Sequence, residues 1–114
     1  MAAERVAALS ELQEATPHRV EAAGEPVVLV RLGDEVKALH DTCSHQEWSL
    51  AEGQCVGREL ECALHGAMFS LDDGRPSSLP ALKPVPTYAV TISGDDVLVD
   101  ATTPVNGAPV PDHW

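Results

Sequence analysis

An all-β fold, a small sandwich or barrel, is what this chain predicts. Three observations lead there. Apolar and β-branched runs are short and numerous, and Gly, Pro and Asp clusters separate them. No long segment carries a 3.6-residue apolar period. The 114 residues suit one domain, of a size that buries about two-thirds of the surface its unfolded form exposes.

The elements follow in chain order. Ala7 to Glu14 holds at most one or two helical turns. Arg19 to Ala22 is a candidate strand. Val27 to Leu32 is apolar enough for a buried strand, Gly33-Asp34 turns the chain, and Val36 to His40 returns as the second arm of a hairpin. Arg58 to Glu61 is a short candidate before Cys62, and Met68 to Leu71 another, ended by Asp72-Asp73-Gly74. Thr87 to Ile92 and Val97 to Asp100 alternate well around a Ser93-Gly94-Asp95-Asp96 turn. Between them, Leu79 to Pro86 contains Pro80, Pro84 and Pro86 and cannot be a central strand, because prolines remove ladder donors. The domain is expected to span 1–102. The tail 103–114, with Pro104, Gly107, Pro109 and Pro111, is expected on the surface or mobile.

Charge and composition narrow the function. Lys and Arg number 7 against 18 Asp and Glu, for a formal net charge of −11. Nucleic acid and anionic membranes are poor partners for such a chain. The longest purely aliphatic run, Val27 to Val30, is far too short to cross a bilayer, and no apolar leader follows Met1. A cytoplasmic protein is expected. Three cysteines in a reducing compartment point to ligands plus a free thiol rather than to disulfides.

Two segments carry the chemistry: Cys43-Ser44-His45 and Cys62-Ala63-Leu64-His65, with sixteen residues between His45 and Cys62. Each offers one thiolate and one imidazole, in the same order. A [2Fe–2S] cluster has two irons, each needing two protein ligands besides the bridging sulfides. Two such loops satisfy both irons if each loop gives one ligand to each. Plant-type clusters take four cysteines, and this chain has three. A structural zinc site also mixes Cys and His ligands and stays open as an alternative. So does the reading of either segment, taken alone, as a surface His and a small buried Cys.

Taken together, these segments form the Rieske pattern. The surrounding text, Cys43-Ser-His-Gln-Glu-Trp48-Ser-Leu50 with Glu52-Gly53, then Leu64-His65-Gly66, Asp73-Gly74, Pro86-Thr-Tyr88 and Gly94-Asp-Asp-Val97, resembles the Rieske-type ferredoxins of bacterial aromatic ring-hydroxylating dioxygenases. The resemblance covers most of residues 4 to 100. It implies one Rieske [2Fe–2S] cluster held by Cys43, His45, Cys62 and His65. It implies cluster-binding loops at about 41–50 and 60–68 at one tip of the β structure, covered by a proline loop at 79–86. His45 and His65 would then form the exit point for the electron, with Trp48, Leu64 and Pro84 as an apolar docking patch around them.

The implied function is one-electron carriage from an NAD(P)H-dependent flavin reductase to a terminal non-heme iron oxygenase for aromatic ring dihydroxylation. A ferredoxin of this kind is an electron-transfer component and not itself an enzyme, and a monomer is expected. Service to another acceptor, such as iron–sulfur assembly, is the alternative within the same family. High-potential Rieske proteins carry an extra Cys in each ligand loop, joined as a disulfide; Trp48 and Leu64 stand there in this chain. Those proteins also place a Ser and a Tyr two and four residues after the second His ligand, where this chain has Ala67 and Phe69. Cys55 matches neither disulfide position and is expected to be a free, buried thiol. His18, His40 and His113 are expected to be plain polar side chains, although His40 is close enough to Cys43 to support it. Asp41, Glu47 and Glu52 either shape docking or are simply solvated.

Overall fold

The computed structural model describes residues 3–42, 49–62, 68–76, 84–102 and 104–107. Nine strands occupy them: β1 (Glu4–Ala8), β2 (His18–Ala22), β3 (Glu25–Leu32), β4 (Glu35–His40), β5 (Gln54–Val56), β6 (Glu59–Glu61), β7 (Met68–Ser70), β8 (Thr87–Ser93) and β9 (Asp96–Asp100). Six form one antiparallel sheet in the order β1-β9-β8-β4-β3-β2, and β5-β6-β7 form a second, small sheet. The large sheet curls until its outer strands β1 and β2 meet, where the Ala23 amide donates to the Glu4 carboxylate at 2.7 Å. The result is a nearly closed barrel.

β3 explains the arrangement. Alternate residues of a strand face opposite sides, and Val27, Val28, Leu29 and Val30 are all fully buried. Val27 and Leu29 pack inside the barrel with Val36, Ala38, Tyr88, Val97 and Val99. Val28 and Val30 face outward into a second core with Leu39, Leu50, Leu60, Phe69 and Val85. The small sheet covers that outer face. An uninterrupted aliphatic run is what a strand buried on both faces requires.

The hairpins at Gly33 and Gly94 take positive φ, 63° and 62°, and close β3–β4 and β8–β9 as expected. A turn at Ala23-Gly24 also has positive φ at both residues, 53° and 78°, the geometry that joins two strands tightly.

Two strands correct the expectations. Glu4–Ala8 was not foreseen as a strand; of the one or two turns at most allowed over Ala7 to Glu14, Leu9–Glu11 makes a 3-10 turn. The Ala-rich stretch has helix propensity, yet pairing with β9 across Glu4↔Val99 and Ala8↔Asp96 overrides it. The Arg5 guanidinium adds an ion pair to Asp96 at 2.7 Å. Gln54–Val56 was not foreseen as a strand, because it is short and half polar; it forms by pairing with β6. The tail is anchored where it begins. Asn106 Nδ2 donates to the Asp73 and Val85 carbonyls, both at 2.8 Å, and its Oδ1 accepts from the Thr87 amide at 3.2 Å.

Candidate metal centre

The residues flanking three segments of the chain, 43–48, 63–67 and 77–83, are close together in the fold. The first leaves from the end of β4. Thr42 and Ser49 form an antiparallel bridge, so the chain on either side of residues 43–48 is held together at its base. Asp41 holds that base. Its carboxylate accepts from the Ser49 hydroxyl at 2.5 Å and the Ala51 amide at 2.8 Å, and its carbonyl accepts from the Leu50 amide at 2.6 Å. The side chain is 3% exposed, with Arg19 Nε 3.7 Å away. Asp41 is therefore neither a docking charge nor a solvated one. It replaces water as the partner of the polar groups that return the loop.

His40, one residue earlier, is also buried. The Thr42 amide donates to its Nδ1 at 3.1 Å. An amide can only donate, so the ring hydrogen sits on Nε2, which lies 2.9 Å from a Glu25 carboxylate oxygen. The reading of His40 as a plain polar residue is thereby corrected: it braces the backbone that enters Cys43. No charge pattern in the sequence signals this, because Glu25 reaches His40 only through the β3–β4 hairpin.

The second segment leaves from β6. The β6–β7 ladder ends at Glu61↔Met68, so Cys62 starts the connection. Cys62 is 2% exposed and belongs to the same buried cluster as Leu50, Leu60, Phe69 and Val85. The third segment returns at Val85 and Pro86. The Val85 amide donates to the Gly74 carbonyl at 2.9 Å, and the His40 amide donates to the Pro86 carbonyl at 2.8 Å. The strand leading to the first loop is thus bonded to the end of the proline segment. Leu50, Cys62 and Val85, each next to one of the three segments, share a single core.

Of the four expected ligands, Cys62 is described; Cys43, His45 and His65 lie outside the described residues. So do Glu47, Trp48, Leu64, Ala67, residues 77–83 and His113. Among the described residues no three His, Cys, Asp or Glu side chains come together as a metal site. The segments 43–48 and 63–67 hold the further candidate ligands Cys43, His45 and His65. The donor set those segments offer, one more thiol and two imidazoles, fits an iron–sulfur centre with mixed ligation.

Cys55 is half-buried rather than buried, a correction to the expectation. It sits on β5, where its thiol donates to the Gly57 carbonyl at 3.3 Å. Burial first, and Glu14 second, push that thiol up, which disfavours the thiolate a metal needs. Glu52 and His18 are exposed. Removing the Asp41 carboxylate tests the loop base. Asp41→Ala should destabilise the protein by roughly 2 kcal/mol, the order of cost for buried donors left without an acceptor. It should also shorten the lifetime of the bound iron in chelator. Asp41→Asn should recover part of both, and thermal melts with bleaching rates would check this.

The sequence over residues 3–89 matches the Rieske [2Fe-2S] domain. The chain belongs to the Rieske family. This Rieske chain is 39% identical over 100 residues to the ferredoxin component of biphenyl 2,3-dioxygenase from Rhodococcus jostii (strain RHA1), covering 88% of this chain and 94% of that protein. Its fold is similar to the ferredoxin of carbazole 1,9a-dioxygenase from Nocardioides aromaticivorans IC177, with a TM-score of 0.84 at 37% identity over 87% of this chain and 97% of that one. It is also similar to a chain in the complex of reduced oxygenase and oxidized ferredoxin in carbazole 1,9a-dioxygenase, with a TM-score of 0.82 at 32% identity over 96% and 98% of the two chains. The cofactor of the Rieske domain is a Rieske-type [2Fe–2S] cluster, which displaces the zinc alternative. Its relatives are electron-transfer subunits and not catalytic ones. No helix among the described residues is long and apolar enough to cross a membrane.

Proposed function

We propose that this Rieske ferredoxin carries single electrons from an NAD(P)H-dependent flavin reductase to a terminal Rieske non-heme iron oxygenase that dihydroxylates aromatic rings. The observation that carries this reading is the likeness, over nearly the whole of both chains, to a structure of an oxygenase–ferredoxin complex. Cys43, His45, Cys62 and His65 are the proposed ligands, two thiolates for one iron and two imidazoles for the other. When bound, the cluster supplies one reversible electron. The chain's own residues hold the ligand segments. Asp41 and His40 brace the residues flanking the first, the β6–β7 ladder holds both ends of the second, and the Val85 amide is bonded to the Gly74 carbonyl where the proline stretch ends.

A monomer in the cytoplasm, with a net charge of −11, would meet its partners through their positive patches in weak, short-lived contacts. The test is anaerobic. The loaded protein, mixed with a flavin reductase of an aromatic dioxygenase and NADH, should be reduced within the mixing experiment. It should then be reoxidised by the terminal oxygenase. Reduction with no transfer to any aromatic-ring oxygenase would sink the reading.

The low-potential character also follows. Donors to cluster sulfur favour the reduced state and raise the potential. Phe69 fills its place on β7 with a fully buried ring, which has no hydroxyl to donate. We expect a midpoint near the low end of the Rieske range, about −150 mV. Phe69→Tyr should raise it if the hydroxyl reaches sulfur. A redox titration followed by electron paramagnetic resonance would decide, and a wild-type value above about +100 mV, in the upper part of that range, would overturn the argument.

A further inference from the structure

Asn106 is the chain's one asparagine, and the fold concentrates three contacts on its side chain. Nδ2 donates to the Asp73 and Val85 carbonyls, both at 2.8 Å. Oδ1 accepts from the Thr87 amide at 3.2 Å. A single carboxamide thus fastens three stretches of chain: the turn after β7, the end of the proline segment and the start of β8. It also closes over Gly74, where an added Cβ would come within 3.0 Å of Nδ2. The neighbouring Val105 amide adds one bond, to the Thr87 carbonyl at 2.8 Å.

The next residue is Gly107. It is exposed, its φ is 71°, and a Cβ built on it would meet nothing within 4 Å. Asparagine before glycine is the pair most open to spontaneous deamidation, because no side chain shields the following backbone nitrogen. That nitrogen attacks Asn106 Cγ. A bond forms between them, the Cγ–Nδ2 bond breaks, and ammonia leaves with the proton that the Gly107 nitrogen gives up. The succinimide left behind takes up one water and opens at either carbonyl, to aspartate or isoaspartate. In balance, a carboxamide and water become a carboxylate and ammonium, and nothing is oxidised or reduced.

We propose that Asn106-Gly107 is a modification site that works as a one-way latch. Closed, its hydrogen bonds hold back deamidation; opened, it reacts; and the product cannot close again. Attack turns Cγ from planar to tetrahedral. Oδ1 and Nδ2 then leave the plane in which they meet Thr87, Asp73 and Val85, so ring closure gives up those bonds. Reaction therefore runs through molecules in which the turn has opened. Such openings lie at the low end of local unfolding free energies where little is buried, and Val105 in this turn is 65% exposed.

The product explains the irreversibility. A carboxylate accepts and cannot donate. In the closed position its new oxygen would face the Asp73 and Val85 carbonyl oxygens where Nδ2 now donates. Two hydrogen bonds become contacts between like partial charges. Isoaspartate adds a methylene to the backbone and displaces the turn further. The loss falls on Val85, whose side chain is fully buried in the core that also holds Cys62. The assignment concerns the chain's own residues and is independent of the electron-carrier role.

The experiment incubates the cluster-loaded full chain at neutral pH beside the same chain unfolded in urea. Peptide mass spectrometry follows the mass gain of amide-to-acid conversion at 106–107. We expect the folded chain to convert at least about tenfold more slowly, because only its open fraction reacts. Asn106→Asp should lower the thermal midpoint, speed amide exchange at Val85 and Val105 and release iron earlier on heating. Should that variant not accumulate folded, aged wild-type protein separated by its added negative charge supplies the same product for these measurements. A folded chain that converts as fast as the unfolded one would overturn the proposal, since the bonds then protect nothing. An unfolded chain that does not convert would overturn it by showing the pair to be unreactive. A wild-type midpoint and wild-type exchange in the aspartate form would also overturn it, since the product could then close.

Discussion

Cys62→Ser should yield a folded chain without a cluster, and Cys43→Ser should do the same, with loss of the visible absorption, of iron and of acid-labile sulfide. The reason is chemical rather than steric. Serine nearly matches cysteine in volume, so the buried site beside Leu60 and Phe69 stays filled. Its hydroxyl, however, ionises far less readily than a thiol and is a hard donor where iron–sulfur centres take soft thiolates. Removing one thiolate leaves an iron with half of its protein ligands. Cys55→Ser is the internal control. That thiol is spent on the Gly57 carbonyl and is held in its protonated form by burial, so its variant should keep the full spectrum. Iron and sulfide analysis of the three variants, expressed side by side, checks the assignment. A Cys43→Ser or Cys62→Ser protein that retains its iron, with a Cys55→Ser protein that loses it, would mean the ligands are wrongly assigned.

Gly74→Ala should be among the most damaging single substitutions outside the ligands, at roughly 4 kcal/mol, since it combines two mechanisms on the short list of large effects. Gly74 has φ of 73°, a conformation that side chains with a Cβ seldom adopt. An added Cβ would also lie 2.2 Å from the Val85 carbonyl oxygen, and backbone on that side cannot swing away as a flexible side chain would. The Gly74 carbonyl accepts from the Val85 amide, and its amide donates to Ser70. The clash therefore pushes β7 and the end of the proline segment apart. Because Val85 belongs to the core that also buries Cys62, loss of the cluster on heating should occur earlier along with unfolding. Denaturant melts of the loaded and iron-free forms measure both. An unchanged midpoint would show that the two segments can separate without cost.

Much of this was legible in the residues. The strands from β2 to β4 and from β6 to β9 follow apolar runs and turn residues that stand next to one another in the chain. Such information is local. The Cys-x-His and Cys-x-x-His segments are local too, and the family match over residues 3–89 agrees with what they imply. β1 was not legible, because its alanines favour a helix in isolation and only β9, some 90 residues away, makes it a strand. β5 has the same cause on a smaller scale.

The site divides along the same line. By itself the sequence determined which chemistry the chain can hold, since thiolates and imidazoles at these spacings admit few metal groups. It also determined that the fold is built of strands, because periods of two and frequent turn residues leave no room for long helices. Only the tertiary structure decided that Asp41 and His40 are buried braces rather than surface polar groups. Their partners, Ser49, Ala51 and Glu25, lie up to fifteen residues away and are brought to them by a bridge and a hairpin. Burial and hydrogen-bond satisfaction belong to pairs of groups in space, and neither member of such a pair carries that information alone.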